Sequence, residues 1–429
     1  MKAVVIGAGL AGSEAAYYLA RHGVEVTLYE MKPKRFSPAH ESENFCELVC
    51  SNSLKSSDIY GNASGLLKEE MRRLFSLTLE AADRSKVPAG GALAVDREAF
   101  SAFVTQKLRA QKNITIITEE VTSLPEEGMI ATGPLTDGKL FAAIQSAFGK
   151  GLHFYDASAP IVSRESIDFS KTFTADRYGR GDGDYINCPL NKEEYERFVH
   201  ELVSAEKATL HEFEKGEIFE GCMPVEVMAS RGKDTLRFGT FKPVGLMDEN
   251  GERPYAVLQL RRENAAGTSL GLVGCQTNLK FSEQKRVFSL IPALKNAEFE
   301  RYGVMHRNTF LESPEILNSD FSVKTRPMLF FAGQITGVEG YMESAMSGLL
   351  AAVHYLRKLK SLPPVTLQDT CVSGALSQYI ATPNKNFQPM NANYGILRPI
   401  SVRDKKEKKR LYAERALEEI ERFKREIIG

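Results

Sequence analysis

The chain has 429 residues, 43% hydrophobic and 26% charged, with 55 basic side chains balanced by 55 acidic ones. That length and composition suit two or three folded domains, and the zero net charge excludes a molecule that is basic throughout and grips polyanions with its whole surface. No apolar run is long enough to span a bilayer, and the N-terminus starts on a strand, without a basic-then-apolar leader.

Residues 2–6 read as a buried strand, followed by a Gly-rich turn, a helix over about 11–22 and a second strand over 24–29 that ends at Glu30. The turn is Gly7-Ala8-Gly9-Leu10-Ala11-Gly12. Gly7 permits the tight turn, Gly9 lets backbone approach a pyrophosphate, and Gly12 allows close helix–strand packing. The helix start then faces the phosphate charge, and Glu30 sits where an adenosine ribose offers its hydroxyls. This predicts a dinucleotide site without separating NAD from FAD.

Two later segments favour FAD. Residues 128–133 read as a short strand ending in an Ala-Thr-Gly turn at Gly133. Residues 327–334 read as an apolar strand ending at Gly333 and Gln334, then Gly340, Tyr341 and a small-residue helix. A late strand that returns to the first sheet, with a second helix start aimed at the phosphates, is needed by a glutathione-reductase-type flavin domain and not by a simple NAD dehydrogenase. Tyr341 is placed either to lie against a flavin ring or simply to pack at a helix start. There is no second G-x-G-x-x-G after a strand, so no separate nicotinamide domain is expected.

The material between has a different texture. Residues 165–190 are polar and Gly/Asp-rich, and 191–215 look helical, with Asn191 as cap. Strands are expected at Thr235–Phe238, Tyr255–Leu260 and Leu270–Gly274, with a turn at Asn250-Gly251. The expected organisation is an α/β, Rossmann-like flavin domain over 1–162 and 311–429, interrupted by an inserted α+β domain over 163–310. Residues 403–429 read as an amphipathic helix with Ala413, Ala416, Leu417, Ile420, Phe423 and Ile427 on one face.

Residues 222–310 carry 13 Lys/Arg against 9 Asp/Glu. Solvated faces explain such a balance, and so does a local surface for a phosphate backbone. On the second view Lys242, Arg261, Arg262, Lys285 and Arg286 are the RNA-binding candidates, with the 403–410 run as the fallback. The six cysteines (46, 50, 188, 222, 275, 371) contain no C-x-x-C, and no metal site is expected. They read as free thiols in a reducing, cytoplasmic setting. Cys50 and Cys222 lie in turn-like strings, where thiols are accessible and tunable; the other four read as packing residues.

Several strings carry a specific resemblance: L-V-C-S-N-S around Cys50, A-V-D-R-E, R-Y-G-R-G-D-G-D-Y-I-N-C-P-L, F-E-G-C-M-P-V-E around Cys222, F-K-P-V-G-L, V-G-C-Q-T-N-L-K-F-S-E-Q-K-R-V-F, G-Q-I-T-G-V-E-G-Y-M-E-S-A and F-Q-P-M-N-A-N-Y-G-I-L. Over about residues 1–400 the chain resembles the folate- and FAD-dependent tRNA (uracil-5-)-methyltransferase family. The related glucose-inhibited division protein A family shares the flavin fold, is longer, and modifies the wobble uridine. The resemblance implies methylation of C5 of the T-loop uridine (position 54) of tRNA. The carbon would come from 5,10-methylenetetrahydrofolate and the electrons from NAD(P)H through FAD. No membrane and no obligate protein partner are implied.

The resemblance puts the reactive thiols at Cys222 and Cys50. Uracil C5 is a poor nucleophile until a thiolate adds at C6; a base must later remove the C5 proton, and reduced flavin supplies a hydride. Cys222 is the expected C6 nucleophile and Cys50 the acid/base partner, with the reverse assignment open. Three other classes also stay open: wobble-uridine modification, a plain flavin oxidoreductase on a small substrate, and a flavin-containing RNA-binding module without catalysis.

Overall fold

In the computed structural model, which describes residues 1–149, 152–179, 183–208, 223–248 and 250–428, the chain builds two six-stranded sheets. The first takes its strands in the order Ser322–Val323, Arg326–Phe331, Gly128–Ile130, Lys2–Ile6, Glu25–Glu30, Ile114–Thr118. All are parallel except the short edge strand Ser322–Val323. Parallel strands are covered on both faces and therefore read as apolar runs. Val5, Leu28, Ile130 and Leu329 to Phe331 are accordingly buried.

The return strand stands where the flavin-domain reading expects it. Phe331 pairs with Ile130, and Ile130 with Ile6. Three strands thus end side by side, and each runs on into small residues: Gly7, Ala131 to Gly133, and Ala332 to Gly333. Ala131 N–H donates to Ile6 C=O at 2.8 Å and Ala332 N–H to Ile130 C=O at 2.9 Å, so the register holds past the strand ends. Ligands of open α/β sheets bind at such carboxyl ends.

The helices Leu10–Arg21 and Tyr341–Leu359 pack directly on each other. A Cβ on Gly348 would lie 2.1 Å from the backbone oxygen of Ala11, so this crossing tolerates no side chain there. The C-terminal helix Lys405–Ile428 forms as expected, and its face from Ala413 to Phe423 joins the same core.

The second sheet is antiparallel, in the order Phe173–Thr174, Ile186–Leu190, Ala256–Arg262, Ser269–Leu272, Ile161–Ser163, Phe299–Arg301. It carries its own core of Phe198, Phe241, Leu258, Leu260 and Phe288. A two-stranded ribbon, Leu152–Ala157 against Met305–Phe310, leads the chain into and out of it.

Two expected elements differ. Thr235–Phe238 is a single helical turn and not a strand. Four residues are too few for alternation to separate the two periods, and Phe241 N–H closes the turn on Leu236 C=O at 2.8 Å. The helix expected over 191–215 forms as Lys192–Ser204, with Asn191 and Glu194 in a reciprocal capping box. It stops because the chain extends at Ala205 and bridges to a neighbouring segment: Ala208 N–H donates to Asn278 C=O at 2.7 Å. Residues 209–215 of the expected span lie outside the described residues.

Candidate functional site

A cleft of about 1240 Å³, open to solvent, lies at the carboxyl ends of the first sheet. Gly7, Ala8, Gly9, Leu10, Ala11, Glu30, Gly133, Gly333, Gln334 and Tyr341 line it. Gly12 and Gly340 stand behind the wall. A Cβ at Gly12 would lie 1.8 Å from Gly7 C=O, so this glycine sets the closeness of turn and helix. A Cβ at Gly9 would meet nothing within 4 Å. Its backbone, at φ −71°, suits any residue, so only something that enters the cleft requires glycine there.

Both cleft-facing helices start without a side-chain cap, at Gly9 and at Gly340. Their first N–H groups and dipoles remain available to an anion, which fits a pyrophosphate. The Glu30 carboxylate accepts the N–H of Ala8 at 2.8 Å and that of Lys32 at 3.0 Å, and so ties the Gly-rich turn to the end of the second strand. Cys46 also lines the cleft, which packing considerations alone do not suggest; burial pushes its thiol up to about 12.

Cys50 lies at the rim, in the loop 48–52. The Tyr341 hydroxyl accepts the N–H groups of Cys50 at 2.7 Å and Ser51 at 3.2 Å. Tyr341 therefore faces the cleft and clips this loop at once. The Cys50 thiol points to Ala157 C=O at 3.8 Å. Burial, reinforced by the charge of Asp156, pushes it well above the ordinary thiol range. Cys222 lies outside the described residues. Cys188, Cys275 and Cys371 are buried, as expected of packing thiols.

Glu339 was not legible as a site residue. It is buried, and its carboxylate accepts a hydrogen bond from the Gln334 side chain in the cleft wall. Burial, with Asp156 adding to it, raises Glu339 to about 8. Close by, Lys55 meets Glu343 at 3.2 Å under the start of helix Tyr341–Leu359. A Cβ at Gly340 would strike that carboxylate at 2.2 Å, which is what the glycine avoids. Among the described residues no cluster of His, Cys, Asp and Glu could hold a metal, and no helix is long and apolar enough to cross a membrane.

The five basic RNA candidates do not share one environment. Lys285 and Arg286 are exposed on helix Phe281–Phe288, where Arg286 pairs with Glu201 and with Glu283. Lys242 is half-buried, and its carbonyl accepts a hydrogen bond from Arg177. Arg262 lies along Gly267, and its carbonyl accepts from Asn52 at 2.9 Å. Arg261 is turned inward, with 11% of its side chain exposed. It bonds Asn52 Oδ1 at 2.9 Å and Ser51 Oγ at 3.0 Å.

Comparison with known proteins agrees with this geometry. The family described as Glucose inhibited division protein A matches residues 2–363. A Desulfitobacterium hafniense protein named Methylenetetrahydrofolate--tRNA-(uracil-5-)-methyltransferase TrmFO is 57% identical over 427 residues, covering 98% of each chain. The Acetivibrio thermocellus protein of the same name is 56% identical over 426 residues, again covering 98% of each. Among solved structures, Aquifex aeolicus GidA superposes with a TM-score of 0.73 at 16% identity, over 99% of this chain and 76% of that one. At that identity the likeness speaks for the fold alone.

Proposed function

The chain belongs to the methylenetetrahydrofolate–tRNA-(uracil-5-)-methyltransferase family, and from that membership we infer that it methylates C5 of the T-loop uridine (position 54) of tRNA. The cleft residues Gly9, Glu30, Gly333 and Gln334 would hold FAD, which, reduced by NAD(P)H, would supply the reducing electrons, with 5,10-methylenetetrahydrofolate as the carbon donor. The observation that carries the reading is the junction at Tyr341. One side chain lines the cleft and holds the backbone of the Cys50 loop at its rim.

The residues divide the work as follows. Gly9 leaves room for phosphate beside two helix starts, while Gly7 and Gly12 let the turn close against the neighbouring strand end and the helix. Glu30 fixes the turn and stands at the ribose end. Cys222 adds to uracil C6 as thiolate and makes C5 nucleophilic. Cys50 handles the C5 proton. Burial holds Cys50 as the neutral thiol, the poorer nucleophile, which supports Cys222 as the group that adds to C6; to take the C5 proton, Cys50 must first give up its own. The exposed basic residues of the second-sheet domain, Lys285 foremost, contact tRNA phosphate. Such a protein works in the cytoplasm, where tRNA is.

The test is transfer of label from folate to tRNA, followed by trapping. RNA with 5-fluorouridine at the target cannot lose a C5 proton and accumulates the covalent adduct. Cys222→Ala is expected to abolish trapping, and Cys50→Ala to slow turnover while still trapping. Trapping that survives Cys222→Ala and vanishes in Cys50→Ala reverses the two roles. Methylation that survives both rules out thiol catalysis.

A further inference from the structure

The Cys50 loop is gripped by groups from three distant parts of the chain. From the start of helix Arg97–Arg109, Arg97 donates to Leu48 C=O at 2.6 Å. From helix Tyr341–Leu359, the Tyr341 hydroxyl takes the Cys50 and Ser51 N–H groups. From strand Ala256–Arg262 of the second sheet, Arg261 Nε and Nη2 reach Asn52 Oδ1 and Ser51 Oγ.

The third grip is built with care on the second-sheet side. Glu263, 7% exposed, bonds Arg97 Nε at 2.9 Å and lies 3.7 Å from Arg261 Nη2, so one carboxylate braces both guanidinium groups. A Cβ at Gly271 would fall 2.1 Å from that carboxylate, so the facing strand leaves space for it. Asn52 is fully buried; its amide donates to Val95 C=O at 3.0 Å and to Arg262 C=O at 2.9 Å, which leaves its oxygen for Arg261. The planar guanidinium is thus committed to two adjacent loop residues in a fork that an ammonium cannot copy.

We propose that Arg261 is a positioning residue, through which the second-sheet domain sets the Cys50 loop at the cleft rim, and not a contact to tRNA phosphate. It touches no reacting atom; it acts on Cys50 through Ser51 and Asn52. Release of the fork lets the loop lift, admits more water to the half-buried thiol and returns it toward the ordinary range. The consequence for methylation rests on Cys50 being the proton-handling thiol. The consequence for thiol reactivity does not.

The experiment measures alkylation of Cys50 by iodoacetamide as a function of pH, by peptide mass spectrometry on the flavin-loaded protein. Methylation kinetics and tRNA affinity at several salt concentrations are measured in parallel. Arg261→Ala is expected to speed Cys50 alkylation at pH 7.5 at least fivefold and shift its profile to lower pH. It should lower kcat at least tenfold and leave tRNA Kd and its salt slope within twofold. Arg261→Lys restores charge without the fork and should recover little of kcat. Ser51→Ala, which removes one acceptor and keeps Arg261, should show a smaller acceleration in the same direction; it carries the test if Arg261→Ala does not fold. Cys50 alkylation unchanged in every folded variant overturns the proposal. So does a weaker tRNA Kd in Arg261→Ala with a salt slope lower by about one, the mark of a lost phosphate contact. If Cys50→Ala methylates normally while Arg261→Ala still speeds alkylation, the catalytic reading of Cys50 fails and the positioning role stands.

Discussion

Replacing Gly9 by valine puts a branched side chain into the cleft while disturbing little else. The added Cβ has no neighbour within 4 Å, and the backbone is already in a region open to any residue. Apoprotein stability should therefore change only by the weaker capping of a β-branched residue, about 1 kcal/mol. The cofactor fares differently. Each N–H bond to a charged phosphate is worth about 1.5–3 kcal/mol. Displacing the pyrophosphate from two of them costs about 3–6 kcal/mol, or roughly 10²- to 10⁴-fold in Kd. Gly12→Ala is the contrasting variant. Its Cβ would lie 1.8 Å from Gly7 C=O, a clash between backbones that no rotamer relieves, and the apoprotein itself should suffer. The assay is flavin absorbance per protein after gel filtration, calorimetric titration of FAD into apoprotein, and thermal unfolding of both apo variants. Full flavin occupancy in Gly9→Val, or an apo form as destabilised as Gly12→Ala, would refute the reasoning.

Tyr341→Phe removes the acceptor for two backbone N–H groups, so denaturant unfolding should show a loss of about 2–4 kcal/mol; an unchanged midpoint means that water replaces the hydroxyl. Glu339 keeps its proton in the folded chain up to about 8, against 4.5 for an ordinary glutamate. Between those values the folded state binds more protons than the unfolded one, so stability falls as pH rises through that window and is level above it. Glu339→Gln should remove that fall, and its Tm difference from the parent should grow from pH 5 to pH 8; a constant difference contradicts the assignment. Lys285→Ala should weaken tRNA binding and lower the salt slope by about 0.7–0.9 in fluorescence anisotropy. Arg286→Ala should do less, because Glu201 and Glu283 already hold that guanidinium.

The Gly-rich wall of the cleft was legible because its constraints are local. A glycine at φ +97° in Gly7, a helix start four residues past the strand, and an acid closing the next strand all fall within thirty residues. The return strand was legible for the same reason, as an apolar run with a small-residue end. The Cys50 loop was legible only as a distinctive string. What holds it, at Arg97, Arg261 and Tyr341, has no periodicity and no spacing rule. Arg261 shows why charge counting misleads: it adds to the basic surplus of its domain, yet its partners are Ser51 and Asn52, some two hundred residues away. Glu339 was hidden likewise, since nothing in Gly-Val-Glu-Gly-Tyr tells a buried carboxyl from a solvated one.

The clasp on the Cys50 loop also fixes an order of events during synthesis. Its hydrogen bonds to Arg261 and Tyr341 span sequence separations of 210 and 291 residues. Contacts that distant form only after the intervening chain has been made and collapsed, and they are among the slowest to close. A growing chain therefore carries Cys50 for most of its length as an ordinary solvent-facing thiol. The half-buried thiol of the finished protein takes its place only when Tyr341 and Arg261 have both closed on its loop. The rate at which an alkylating reagent captures Cys50 thus reports how far assembly of its loop has gone.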